Sequence, residues 1–189
     1  LSYQMYMMKD WPYMILTDGI SHNLAINLQL SRSSIDNPIY TRRGSQFTLG
    51  LKITPPYSLI KGTTDAQYAQ MSATEKYNLL EYHKWSFSGK VFTPLTPDSK
   101  LILMARADFG YLGHYNKNVK SPFESFYMGG DGMSSYSSYS TEYISMRGYQ
   151  SGSLTPYDPA TGRNMGYVYN KFTMELRYPI ALEQNATIW

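Results

Sequence analysis

The chain has no cysteine at any of its 189 positions. That excludes a disulfide framework, a thiolate nucleophile and cysteine-based zinc sites together. Long apolar runs are also missing. A transmembrane helix needs about 18 consecutive apolar residues, whereas the best run here, Leu101 to Ala105, is about a quarter of that. Helical membrane spans are thereby excluded, but a membrane β-barrel is not, because its strands alternate and average to a middling hydropathy. Charge of one sign is scarce too: 17 Lys and Arg against 14 Asp and Glu leave +3, scattered along the chain. No basic patch for nucleic acid follows from that. Histidine is sparse. His22, His83 and His114 stand far apart, with no metal-ligand spacing, so neither a metal site nor a cofactor is expected.

What is abundant is tyrosine, 19 residues, with three tryptophans and a mean hydropathy of -0.41. These amphipathic aromatics lie in segments of clear period two, the strand pattern. Leu1, Tyr3, Met5 and Met7 oppose Ser2, Gln4 and Tyr6. From His22 to Ser33, Leu24, Ile26, Leu28 and Leu30 oppose Ala25, Asn27, Gln29 and Ser31. From Gln46 to Thr54, Phe47, Leu49, Leu51 and Ile53 oppose Thr48, Gly50 and Lys52. Glu81 to Thr93 and Leu101 to Tyr111 repeat the pattern, as does the segment from Tyr167 to Tyr178, and a last strand is expected from about Ala186. Between residues 56 and 80, Ala66 to Leu80 is expected to form a short helix, with Ser72 capping toward Glu75.

Two features turn this list into a fold class. Connections alternate in length: 8–21, 56–80 and 113–166 are long, while 34–45, 94–99 and 179–185 are short. Outer-membrane barrels show that parity, with short periplasmic turns and longer outer loops. Trp11-Pro12, Asp18-Gly19 and Pro97-Asp98 supply turn formers within these connections. The polar faces also carry charge in mid-strand, at Lys52, Lys84, Lys90, Arg106, Asp108, Lys171, Glu175 and Arg177. In a soluble sandwich that face would meet bulk water; in a barrel it meets a wet lumen. Segments of about nine to thirteen residues suit a tilted membrane strand, and Tyr and Trp near their ends suit an aromatic girdle. The expectation is an all-β, transmembrane antiparallel barrel over residues 1–189. About seven strands cannot close a usual barrel alone, and lipid does not tolerate an open edge. The chain therefore reads as a segment of a larger barrel, beginning at Leu1 and stopping at Trp189 inside strands.

The candidate site lies in the connection 113–166, since unstructured loops of that length are usually functional. Gly129, Gly130 and Asp131, followed by Gly132, form a turn in which Asp131 hydrogen-bonds local amides rather than binding calcium, because no acidic cluster surrounds it. Pairing His114 with a serine of 134–140 as a nucleophile carries no weight among so many serines. Arg147, followed by Gly148 and Tyr149, is better placed. Its planar fork matches a carboxylate, and the alternation points Glu175 to the polar face. Spacing leaves two arrangements open: Arg147 reaching Glu175, or Arg147 solvated while Glu175 pairs with Lys171 or Arg177.

On these residues the chain resembles the BamA family of outer-membrane protein assembly factors, within the wider superfamily of β-barrel insertases and two-partner-secretion translocators. The resemblance is carried by Phe126-Tyr127-Met128-Gly129-Gly130, by Met146-Arg147-Gly148-Tyr149 and by Thr173-Met174-Glu175-Leu176-Arg177-Tyr178-Pro179. Asp36-Asn37-Pro38 through Arg42-Arg43-Gly44 looks like the family's periplasmic turn. Met146 stands where the family has a β-branched residue. The resemblance implies part of a sixteen-stranded barrel in a Gram-negative outer membrane. Its long extracellular loop would lie in the lumen, with Arg147 anchored to Glu175 and to an Asp beyond Trp189. POTRA domains and the first and last strands, the family's gate, would lie outside this chain. It also implies a non-enzymatic role in folding and inserting outer-membrane proteins. The partners would be the lipid bilayer, accessory lipoproteins of an assembly complex and unfolded barrel substrates, with no nucleic acid. A two-partner-secretion translocator and a diffusion porin are the alternatives.

Overall fold

A computed structural model describes residues 1–10, 16–121, 123–133, 141–159, 162–181 and 186–188. The expected turn Trp11-Pro12, the serines of 134–140, most of the turn 179–185 and the terminal Trp189 lie outside the described residues.

Seven strands make one sheet: β1 (Ser2–Met8), β2 (Gly19–Ser33), β3 (Gly44–Ile53), β4 (His83–Pro94), β5 (Ile102–Gly113), then β10 (Val168–Ala181) and β11 (Ala186–Ile188). Their order in the sheet follows the chain, β1-β2-β3-β4-β5-β10-β11, and the sheet is mostly antiparallel. In the β1–β2 ladder Ser2 faces Ala25, Gln4 faces Asn23 and Met8 faces Gly19. Between β5 and β10, four short strands replace the featureless loop expected there: β6 (Phe126–Met128), β7 (Glu142–Ile144), β8 (Tyr157–Asp158) and β9 (Arg163–Asn164).

By packing, the chain divides into two compact units. One comprises Leu1–Leu28, Leu51–Trp85 and Tyr111–Val168, the other Gln29–Gly50, Ser86–Gly110 and Tyr169–Trp189. In the first unit the small polar face of β2 is the buried one: Ser21, Asn23 and Ala25 are almost fully covered, while Ile20 and Ile26 are exposed. Tyr82, Phe123, Phe126, Leu16, Leu80 and Leu112 form its interior, and the Tyr82 hydroxyl donates to Asn23 Oδ1 at 3.1 Å. In the second unit Phe92, Ile102 and Met104 cluster with Ile35 against them. Asp108 accepts from Ser88 Oγ at 2.7 Å and from Arg106 Nε.

Exposure along β10 alternates residue by residue. Lys171, Thr173, Glu175 and Arg177 are half-buried, whereas Phe172 (76%), Met174 (76%), Leu176 (57%) and Ile180 (67%) are open. Each such side chain left in water forgoes about 1.5–3 kcal/mol of burial. Four of them forgo about 6–12 kcal/mol, as much as the whole net stability of a domain. A face of this kind belongs against lipid. No described helix is long and apolar enough to cross a membrane.

Several boundaries differ from expectation. β2 begins at Gly19, so the preceding connection is shorter than 8–21. The single helix expected over Ala66 to Leu80 is instead α2 (Asp65–Gln70) and α3 (Ala73–Lys76), preceded by α1 (Tyr57–Lys61). Met71 is extended and breaks the run. Thr64 with Gln67, and Ser72 with Glu75, then form two capping boxes in tandem, the second as the sequence indicates. β10 continues through Pro179, expected to open a turn, and pairs it with Thr187 beside a register shift.

Candidate functional site

The segment between β5 and β10 is a built structure within the first unit. Leu112 N–H donates to the Tyr167 carbonyl at 2.7 Å and closes its base. β6 pairs in parallel with β7, matching Phe126 to Glu142, Tyr127 to Tyr143 and Met128 to Ile144. Phe126 also exchanges both backbone bonds with Gly166, at 2.8 and 3.0 Å. Met128 N–H donates to Thr155 Oγ1 at 2.8 Å, tying in the returning chain.

The predicted turn residues and the Arg-Gly-Tyr segment meet here. Gly129 N–H donates to the Ile144 carbonyl at 3.0 Å, Met146 N–H to the Gly130 carbonyl at 2.7 Å and Gly130 N–H to the Tyr149 carbonyl at 3.0 Å. Tyr149 N–H donates back to the Met146 carbonyl at 3.3 Å, so Arg147 and Gly148 are the central pair of a β-turn. Gly148 has φ +86°, which the third position of a type II turn demands and which favours glycine. Arg147, Gly148 and Tyr149 are exposed on this turn. Asp131 Oδ1 accepts from Met133 N–H at 2.9 Å, a local Asx turn as expected. Among the described residues no three His, Cys, Asp or Glu side chains gather as metal ligands.

A second constellation had not been assembled from the sequence. Lys52 on β3 and Lys84 on β4 both reach Glu124, at 2.5 and 3.2 Å, and Lys84 also reaches Glu142 at 2.8 Å. The Lys84 and Glu124 side chains are 9% and 13% exposed. Lys84 Nζ lies 4.8 Å from the Phe126 ring centroid and Lys52 Nζ 5.8 Å from that of Tyr82, within cation–π range. Beside them Tyr6 of β1 stacks on Phe123, centroids 4.6 Å apart and 15° between planes. The Lys84–Glu124 pair is poorly solvated, so removing one of its partners costs far more than at a surface, whereas the Glu142 side chain is 42% exposed. Glu124 holds its position with φ +68°, a conformation costing a non-glycine residue about 1–2 kcal/mol. The alternation had placed both lysines on the polar face. The signal for their partners was that Glu124 and Glu142 are the only glutamates in 113–166.

Glu175 lies in the second unit. Its Oε2 accepts from Arg177 Nε at 3.1 Å and Nη2 at 2.8 Å, and the Arg177 guanidinium lies 5.3 Å from the Phe92 ring centroid. The histidines serve separate local roles. His22 Nδ1 is 2.8 Å from the Tyr3 hydroxyl, and His83 Nδ1 accepts from Trp85 Nε1 at 3.2 Å. His114 sits edge-on to Tyr167. Burial, and then the charges of Lys120 and His83, push His114 down to about 4.

The sequence matches the Omp85 superfamily domain over residues 2–189. A search of curated proteins finds no match. Among solved structures the chain is similar to that of BamA from Haemophilus ducreyi lacking POTRA domains 1-3. Identity is 15% and the TM-score 0.56, with 86% of this chain and 26% of that one covered. The chain thus spans about a quarter of the length of that structure, and the likeness is one of fold, a transmembrane antiparallel β-barrel.

Proposed function

The chain belongs to the Omp85 superfamily, and from that premise we propose that it serves as part of the barrel of an outer-membrane protein assembly factor. The reaction has no covalent step: such a barrel perturbs the bilayer and offers strand edges on which incoming barrels fold by β-augmentation. The observation that carries this reading is the segment seated by charge on the polar face of the strands, Glu124 and Glu142 against Lys52 and Lys84. A segment seated on that face in this way suits holding a conformation rather than free diffusion. Its setting would be a Gram-negative outer membrane, with accessory lipoproteins and unfolded barrel proteins as partners.

Within this reading Arg147 and Glu175 form a lock, with Gly148 and Tyr149 shaping its tip and the Gly129-Gly130-Asp131 turn supporting it. Two observations support the lock. Arg147 is displayed at the crown of a glycine-determined turn. Both Arg177 bonds go to Glu175 Oε2, and a carboxylate has capacity for a second cation at its other oxygen.

The test replaces the native copy in cells with Arg147→Glu, Glu175→Arg and the double swap, and measures folded, heat-modifiable barrel protein in the outer membrane. The expected result is loss in each single variant and partial recovery in the double. Normal levels in all three would refute the lock and favour a two-partner-secretion translocator, or a porin if single-channel recordings show a conducting lumen.

A further inference from the structure

We infer that Lys84 is the hub of a latch, distinct from the Arg147 turn, that fixes the 113–166 segment to strands β3 and β4. The geometry is specific. Lys84 bridges Glu124, two residues before β6, and Glu142, the first residue of β7. One ammonium thereby ties together the two stretches that pair as β6 and β7 and holds both against the wall. Lys52 neutralises the remaining Glu124 oxygen. The Phe126 ring lies against Lys84, and Lys84 and Glu124, 9% and 13% exposed, depend on their partners, while Glu142, 42% exposed, is held less tightly. Ammonium suits this role because three tetrahedral donors can serve two carboxylates and a ring at once. Glu124 accepts a left-handed backbone to make both contacts. The latch stands on these contacts alone; its importance for assembly rests on the function proposed above.

An engineered thiol is the only one among these 189 residues, and the intact protein without it, labelled in parallel, sets the background. Ser125, 4% exposed and next to Glu124, becomes the reporter as Ser125→Cys in the intact protein in outer-membrane vesicles. Maleimide labelling is followed over time, with heat-modifiability confirming folded barrels. Lys84→Met is expected to raise the labelling rate at least tenfold. Lys84→Arg should restore slow labelling, and Lys90→Met, on the same strand face, should leave it slow. Arg147→Ala should also leave it slow, because the latch does not use that turn. If Lys84→Met prevents folding, Glu124→Gln and Glu142→Gln keep side-chain volume. They should accelerate labelling in that order, since Glu124 serves two lysines and Glu142 one. Slow labelling in folded Lys84→Met, or in both glutamine variants, overturns the latch, and opening by Arg147→Ala equal to that of Lys84→Met overturns its independence. Fast labelling in cells that keep normal outer-membrane barrels would leave the latch standing and remove the assembly role.

Discussion

Alanine at Gly129 and alanine at Gly148 should differ sharply in effect, although both glycines have positive φ, +131° and +86°. A Cβ at Gly148 meets nothing within 4 Å. Its cost is therefore the backbone term, about 1–2 kcal/mol, partly offset by about 0.4–1 kcal/mol from a less flexible unfolded chain. The net is about 1 kcal/mol, or roughly a fivefold change in an opening equilibrium. A Cβ at Gly129 would instead land on the Gln150 carbonyl oxygen and 2.9 Å from the Gly152 nitrogen. Backbone atoms cannot rotate aside as a side-chain tip can, so the two stretches must separate. Overpacking adds about 1–3 kcal/mol, and weakening the Gly129–Ile144 and Gly130–Tyr149 bonds adds about 0.5–1.5 kcal/mol each. With the same backbone net of about 1 kcal/mol the sum is about 3–7 kcal/mol, a loosening of more than a hundredfold. Amide hydrogen exchange of the intact barrel in nanodiscs reads this directly at Gly130, Met146 and Tyr149. Similar protection factors in the two variants would refute the close approach of 129 to 150–152 on which the site is built.

Two further outcomes follow from the faces and from burial. Phe172→Lys on the open face of β10 should destabilise the membrane-inserted barrel by about 2–4 kcal/mol near mid-bilayer. Thr173→Lys on the half-buried face should cost much less, and equal losses in urea unfolding from vesicles would contradict the assignment of faces. His114 should stay neutral down to about pH 4, against an ordinary 6.5. Its folded value is depressed, so its contribution to stability is complete above about 6.5 and is lost as pH falls through 4. Imidazole NMR shifts should titrate near 4, the stability slope over that window should vanish in His114→Phe, and titration near 6.5 would overturn the burial argument.

The strands were legible because a membrane strand writes its two environments into alternate residues. Lys171, Thr173, Glu175 and Arg177 separate from Phe172, Met174 and Leu176 in the sequence as they do in space. Ends were less legible. Proline 179 reads as a stop, yet β10 carries it, paired with Thr187 where the ladder is already irregular. Residues 57–76 misled for a different reason: helical composition continues across Met71, and only the second cap at Ser72 shows that the helix starts again. A cap pattern is local, so Ser72–Glu75 could be read correctly while the break before it was missed.

Charge partners divide along the same line between local and distant. Glu175 and Arg177 share a face by period two alone, and their pairing was among the arrangements the sequence left open. The Lys52–Glu124 pair spans 72 residues and the Lys84–Glu124 pair 40. Alternation gives each lysine a face but says nothing of what arrives there. Arrival depends on a fold-back in which Leu112 closes on Tyr167 and Phe126 on Gly166, and neither contact has a periodic signature. A lysine carried to the inner face near a strand end, as Lys84 is at the second position of β4 with its side chain 9% exposed, is costly to leave there without a partner. It must find a counter-charge inside, and the glutamates nearest in chain order need not be the ones that supply it. Such lysines therefore predict that an acidic loop residue will be brought to them, and the reporter thiol at Ser125 measures how firmly this one is held.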